Sequence, residues 1–300
     1  MKKQSYIDPH PSSYNSRLVV EMKMEMMEGL RIVDFKDLLN VLNSLEDELK
    51  QLMITALNAP EGLELLGTKL DYLCEFIVSE ENEKLWRQWG DREDVIQCTK
   101  RLRATSDEAL CMVEKMRALR VYTEEWDMDL YLSLLSASVN EERHYAQIDG
   151  TSKVLFIGAG AFPLSAFIIA KETCAEVVCT DIDHEAIYHG EKLAQFLGLQ
   201  KILHYSDSHL RHPEFLAATT HVFIASLVAE KKELLEELKS KVPPNCKIIV
   251  RYGNGLKSVF NYPLEISLLK EWQVKSIKRD NCIYDTIILQ PHKMAAVKAT

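Results

Sequence analysis

Leucines recur at positions 38, 42, 45, 49 and 52, every third or fourth residue. That spacing keeps them on one face of a helix and predicts an amphipathic one. Asn58-Ala-Pro60 ends it, because proline has no amide N–H to continue the helical bonding. A second stripe follows at Leu63, Leu66, Leu70, Leu73 and Ile77. Residues 92–140 read as two further helices with a break near Arg120, and the first thirty or so residues are polar and Met-rich without a clear period.

From Val154 the period changes. Runs at Val154–Ile157, Val177–Thr180, Lys201–Tyr205, His221–Ala225, Lys247–Arg251 and Thr286–Leu289 have strand length. Helical patterns, notably Glu185–Leu197 and Lys231–Val242, separate most of them. This alternation predicts a mostly parallel sheet with helices on both faces. The expected class is α/β, with an all-helical domain over 1–148 before a Rossmann-like domain over 149–300, and Asp149-Gly-Thr-Ser152 as the linker.

The candidate chemistry starts where the first strand meets its turn, Gly158-Ala159-Gly160-Ala-Phe-Pro163. The glycines permit positive φ and close approach of a ligand to the backbone. Free N–H groups at the start of the next helix face that ligand. A pyrophosphate needs close approach along the helix, and Pro163 adds bulk and removes a donor. The turn therefore suits S-adenosylmethionine better than a dinucleotide. Some twenty residues on, Val177-Val-Cys-Thr-Asp181-Ile182-Asp183 ends a strand in acids, the distance at which a carboxylate accepts hydrogen bonds from ribose. Helix capping is the competing role. Asp181 is assigned to the ribose and Asp183 to the cap. Asp207, after the third strand, either contacts adenine or belongs to a plain turn. Ala225 and Ser226 lie at the open end of the fourth strand, where such crevices place reacting atoms.

Composition narrows the classes. The formal charge of −9 over 300 residues argues against a nucleic-acid partner, since phosphate binding needs a basic face. No apolar run reaches the ~20 residues of a membrane span. Met1-Lys-Lys-Gln-Ser-Tyr lacks the apolar region of a secretory leader. The seven cysteines form no Cys-x-x-Cys pair and read as free thiols of a reducing compartment, so a cytoplasmic location is expected. His204, His209 and His212 near Asp207 read as surface residues, and no metal is expected.

The second stripe extends past Ile77 to Glu80, Glu81 and Lys84. Burying an unpaired carboxylate is costly. Either the helix end has left the core or Glu81 faces a site, where it could act as a general base toward an amine.

Val154-Leu-Phe-Ile-Gly-Ala-Gly-Ala-Phe-Pro-Leu164 resembles the Gly-x-Gly-x-x-Pro-Leu turn of nicotianamine synthases and their bacterial relatives. Thr180-Asp-Ile-Asp183 resembles their Asp-Ile-Asp segment, and Ala225-Ser-Leu-Val228 their Ala-Ala-Leu-Val. Arg251-Tyr-Gly-Asn-Gly255 with Tyr262-Pro263 resembles their Arg-x-x-x-Gly with a later Tyr-Pro. The plant members' Phe-Pro-Tyr-Tyr segment is missing, so the chain is more similar to the bacterial branch making opine-type metallophores from histidine.

The resemblance implies transfer of the 3-amino-3-carboxypropyl (aminobutyrate) group of S-adenosylmethionine to the α-amine of histidine, leaving methylthioadenosine. It implies binding of that co-substrate by Gly158, Ala159, Gly160, Pro163, Asp181, Ile182, Asp207, Ala225 and Ser226. A catalytic Glu is implied shortly after a Leu-Cys pair. Leu73-Cys74 matches that pair and points to Glu81, with Glu80 and Glu83 as rivals. A catalytic Tyr is implied before the first strand, with Tyr131 first and Tyr122 second. A downstream opine dehydrogenase acting on the product and a homodimer are the implied partners. A small-molecule methyltransferase using the same adenosyl pocket is the alternative.

Overall fold

The computed structural model describes residues 34–121, 130–208, 212–277, 279 and 281–291. Helix α1 (Phe35–Asn58) starts at a capping box. The Asp37 amide donates to the Asp34 side chain at 2.9 Å, and the Asp34 amide donates to Asp37 at 3.2 Å. The stripe Leu38, Leu42, Leu45 and Leu49 is buried. Pro60 opens α2 (Pro60–Val78), where a missing N–H costs nothing. Leu63, Leu66, Leu70, Leu73 and Ile77 are buried along it.

The stripe does not continue to Glu81. Ser79 leaves the helical conformation, and its side chain caps a separate helix α3 (Glu80–Trp89) by accepting from the Asn82 amide at 3.3 Å. Glu80, Glu81 and Glu83 fill the first turn of α3, where the helix dipole favours acids. A serine followed by acids is itself a start signal, and it outweighs the leucine period here. Helices α4 (Glu93–Val121) and α5 (Leu130–Ala146) follow.

The strands are β1 (Lys153–Ile157), β2 (Glu176–Thr180), β3 (Leu203–Ser206), β4 (His221–Ile224), β5 (Lys247–Tyr252), β6 (Trp272–Ile277) and β7 (Asp285–Pro291). They form one seven-stranded sheet in the order β3-β2-β1-β4-β5-β7-β6. The first five are parallel, and β7 pairs antiparallel with both β5 and β6. The connecting helices are α6 (Leu164–Thr173), α7 (His184–Phe196), α8 (Pro213–Ala218) and α9 (Lys231–Lys241). Strand β6 was not expected from the sequence. It is an edge strand whose residues 273–276 are all exposed, so it carries no apolar run.

Side chains alternate across the sheet as the two-residue strand period requires. Val154, Phe156, Phe223, Ile249 and Ile288 pack with the helices α1, α2 and α4 in one continuous core. Leu155, Ile157, Val222, Ile224, Ile248 and Val250 face the other way, onto Leu216 of α8 and Leu235 and Leu238 of α9. The chain changes from helix to strand between Ala146 and Lys153, but the apolar core does not divide there. Among the described residues no helix is long and apolar enough to cross a membrane.

Candidate functional site

Strands β1 and β4 are neighbours, with Ile157 in register with both Thr180 and Ile224. Their carboxyl ends lie at one level, at the point where strand order reverses and a crevice opens. Gly158 and Gly160 have φ of 77° and 71°. A Cβ on Gly158 would lie 2.5 Å from Val228 Cγ2 and 3.2 Å from Ala225 Cβ. A Cβ on Gly160 would run into Glu114 Oε2. Both positions thus require glycine for conformation and for space.

Asp181 ties this turn to the next strand. Gly160 N–H donates to its Oδ2 at 2.8 Å, and Asp183 N–H to its Oδ1 at 3.0 Å. A carboxylate offers about four acceptor sites, so both oxygens retain capacity for a ligand. Ile182, beside it, is 96% exposed, an apolar face at the crevice edge. Asp183 caps α7 by accepting from Glu185 N–H at 2.9 Å, as the sequence suggested.

Helix α4 crosses above these strand ends. At one end Lys115 pairs with Asp183 at 2.8 Å and Glu185 at 2.6 Å. At the other, Arg103 donates to the Ser258 carbonyl at 2.5 Å, and its guanidinium lies 4.9 Å from the centre of the Tyr262 ring. Tyr262 N–H and Lys231 Nζ both donate to the Ser226 carbonyl, at 3.0 and 2.9 Å. Lys231 also donates to the Val228 carbonyl, which holds the loop after β4. Asp107 and Glu114 sit between these anchors, two turns apart on α4.

Burial and like charge displace these groups from their ordinary titration ranges. Burial pushes Glu114 up to about 8, with Asp181 and Asp107 adding to it, against Arg117 and a hydrogen bond from the Phe162 backbone. Burial pushes Asp107 up to about 6, reinforced by Asp181 and Glu108 and opposed by Lys231. Burial and Arg103 bring Lys231 down to about 7. Both carboxylates still keep part of their surface open to solvent. Raised carboxylates and a lowered lysine in one cleft form the pattern of a reactive site.

Residues 130–297 match the family described as nicotianamine synthase protein. The chain is 34% identical over 253 residues to an L-histidine 2-aminobutanoyltransferase of Pseudomonas aeruginosa (strain UCBPP-PA14), covering 84% of this chain and 96% of that one. The chain belongs to the nicotianamine synthase family. A Yersinia pestis protein of the same name is 31% identical over 261 residues, covering 86% of this chain and 97% of its own. The crystal structure of MtNAS in complex with MTA and tNA superposes with a TM-score of 0.69 over 84% of this chain and 97% of that one. At 12% identity that likeness concerns the fold.

Several of the residues expected from the sequence meet in this crevice of the nicotianamine synthase fold. Gly158, Gly160, Asp181, Ile182 and Ala225 line or brace it, and Ser226 supplies the carbonyl that gathers Tyr262 and Lys231. Asp207 follows β3, reached through the Asp181 amide's bond to the Ser206 carbonyl at 3.4 Å. Ala159 and Pro163 are buried. Ala159 N–H is taken by the Thr180 carbonyl at 3.1 Å, and Pro163 is the cap of α6, so both shape the turn from within.

Glu81 is not part of this assembly. It is exposed on α3, and among the described residues no hydrogen bond or ion pair joins it to the crevice. Tyr122, the Tyr131 side chain and His209 lie outside the described residues. No group of three His, Cys, Asp or Glu among the described residues could hold a metal ion.

The sequence reading missed Glu114, Asp107 and Arg103. One signal was available: the chain carries a second Leu-Cys pair, Leu110-Cys111, with Glu114 three residues later. The structure sets that pair's helix, and not Leu73-Cys74, above the glycine turn.

Proposed function

We propose that this protein transfers the 3-amino-3-carboxypropyl group of S-adenosylmethionine to the α-amine of histidine and releases methylthioadenosine. Relatives named L-histidine 2-aminobutanoyltransferase align with it over nearly their whole length. The observation that carries the reading into chemistry is the Glu114 carboxylate set against Gly160.

The residues present fit a sulfonium nucleoside. The two glycines let Val228 and the Glu114 carboxylate close on the turn, where a Cβ would meet them. Asp181 accepts from the ribose hydroxyls with its spare lone pairs, Ile182 presents an apolar wall to adenine, and Asp207 stands at the next strand end. S-adenosylmethionine supplies an electrophilic carbon beside a positive sulfur. Glu114 and Asp107 face that positive charge and the acceptor's ammonium. Approach of cations favours the ionised forms of both carboxylates, so Glu114 gives up its own proton as the site fills. It then takes one from the ammonium, and the freed amine attacks. A base whose ordinary range is moved close to neutral pH suits that exchange. Tyr131 and Tyr122 remain the candidates for orienting donor or acceptor.

The same reading has a cytoplasmic enzyme, which the free thiols support. It needs no metal for the transfer. It also includes a dehydrogenase of opine type consuming the product, and a homodimer. Mass spectrometry of the nucleoside released from S-adenosylmethionine with D- or L-histidine tests the reaction. Methylthioadenosine is expected, and adenosylhomocysteine would make the protein a methyltransferase instead.

A further inference from the structure

Arg103 is a cation with an unfilled role. It is 8% exposed. A buried guanidinium has five N–H donors to satisfy, and only a bond to the Ser258 carbonyl is made by Arg103 among the described residues. Among them it forms no ion pair with a carboxylate, not even with Asp107 one turn along the same face. Its broad neighbour is the Tyr262 ring, at 4.9 Å. The cation Lys231 lies on the same ring, 5.7 Å from its centre. Two basic groups thus share a buried corner of the crevice, and among the described residues backbone carbonyls alone accept from them.

The contrast with other buried cations is direct. Lys69, 3% exposed, meets Glu48 at 2.5 Å, and Arg251, 4% exposed, meets Glu142 at 2.6 Å. A buried charge is normally paired. A planar fork held open in a cleft is the geometry that binds a carboxylate bidentately.

We infer that Arg103, backed by the Tyr262 ring, binds the α-carboxylate of the amino-acid acceptor and restricts the enzyme to acceptors with a free carboxylate. The assignment rests on the transferase reading above. Asp107 lies four residues on, roughly 6 Å along the helix axis. An amino acid carries its ammonium two bonds from its carboxylate, so a carboxylate on Arg103 turns the amine along α4, past Asp107 and toward Glu114. Farther along α4, roughly 16 Å from Arg103, Glu114 stands at the glycine turn. The acceptor is thereby placed at the Tyr262 end and the donor's reacting chain at the Gly160 end.

The experiment compares histidine with histidinamide, which lacks the carboxylate charge, as acceptors for the wild type, Arg103→Gln and Arg103→Lys. Methylthioadenosine release and S-adenosylmethionine affinity are measured for each. The wild type is expected to favour histidine by ~100-fold in kcat/KM, the range for a charged hydrogen-bonded contact. Arg103→Gln should raise KM for histidine by a similar factor, change kcat far less, leave S-adenosylmethionine affinity within about threefold and erase the preference. Arg103→Lys should restore part of it.

Equal use of both acceptors by the wild type overturns the inference without any variant. So does a preference that survives in Arg103→Gln, or a loss confined to S-adenosylmethionine affinity, which would give the guanidinium to the donor. Calorimetric titration of histidine into protein saturated with methylthioadenosine separates the two levels. Binding that is lost in Arg103→Gln supports the subsite even without turnover. Binding of equal strength in both proteins contradicts it. Release of adenosylhomocysteine by the wild type overturns the transferase reading itself.

Discussion

Two charged regions lie on the helical side of the sheet, and they are built differently. Under α5, Glu142 is wholly buried and accepts from Arg251 Nε at 3.1 Å and Nη2 at 2.6 Å. Thr286 and Arg279 donate to the same carboxylate at 2.7 and 3.5 Å. Arg251 gives its remaining arm to Ser165 Oγ at 2.9 Å and lies among the Phe156, Phe223 and Tyr284 rings. Every partner of that carboxylate is protein. Under α4, by contrast, Asp107, Glu114 and Asp181 crowd one another, and Arg103 meets no carboxylate among the described residues. In the first region the carboxylate is fully met by protein donors. The second needs a ligand bearing both signs of charge, and a sulfonium donor with an amino-acid acceptor is such a ligand.

That contrast can be broken by substitution. The largest expected effect is in the finished network. Arg251→Met leaves the Glu142 carboxylate with only Thr286 and Arg279 as donors and should cost about 3–5 kcal/mol, the range for removing one partner of a buried pair. Denaturant melts measure it, and a loss under ~1 kcal/mol would remove Glu142 from the structural side of the comparison.

In the crevice the effects should fall on ligands first. Asp181→Ala removes the acceptor expected for ribose, and weaker S-adenosylmethionine binding by roughly 1.5–3 kcal/mol is expected with the fold retained. Part of that reflects the Gly160 turn, which Asp181 also holds. Unchanged affinity by calorimetry would leave Asp181 with the turn alone.

The electrostatic side has its own test, in the dependence of stability on pH. Glu114 is raised from 4.5 to about 8 in the folded protein. The folded state therefore holds a proton that the unfolded chain has lost between those values. Its contribution is fully present below pH 4.5 and is lost as pH rises through 8. Asp107 acts in the same direction up to about 6. Lys231, lowered to about 7, opposes them, because its stability contribution is lost as pH falls toward 7. Ligand-free Glu114→Gln should thus gain stability over the wild type as pH rises from about 5 to about 8. The gain should be about 1.4 kcal/mol for each pH unit over which the wild-type carboxyl stays protonated in the fold and ionised in the unfolded chain. A constant difference between the two melting curves would place Glu114 in a wetter site.

What the sequence made legible follows the same division. Strands β1, β2, β4, β5 and β7 announced themselves because each is an apolar run buried within the sheet, whereas edge strand β3, Leu-His-Tyr-Ser, was read two residues early at its start because only Leu203 and Ser206 are buried. The glycine turn and the two acids after β2 have fixed local roles and could be read from spacing. Edge strand β6, with Lys275 and Gln273 facing water, could not. Glu114, Asp107 and Arg103 were hidden for another reason. Helix α4 buries Thr99, Arg103, Thr105 and Ser106 beside Leu102 and Leu110, so no clean apolar stripe marks its inner face. Glu81 was chosen because a clean stripe ran toward it, and one serine cap at residue 79 turned it out to solvent.

The most direct test is the rate of methylthioadenosine release by Glu114→Gln with saturating S-adenosylmethionine and histidine. The substitution keeps size and removes basicity. Release at least ~100-fold slower than wild type, with S-adenosylmethionine still bound, is predicted for loss of a general base. Release at the wild-type rate would contradict the assignment and return the base to another carboxylate, Asp107 first.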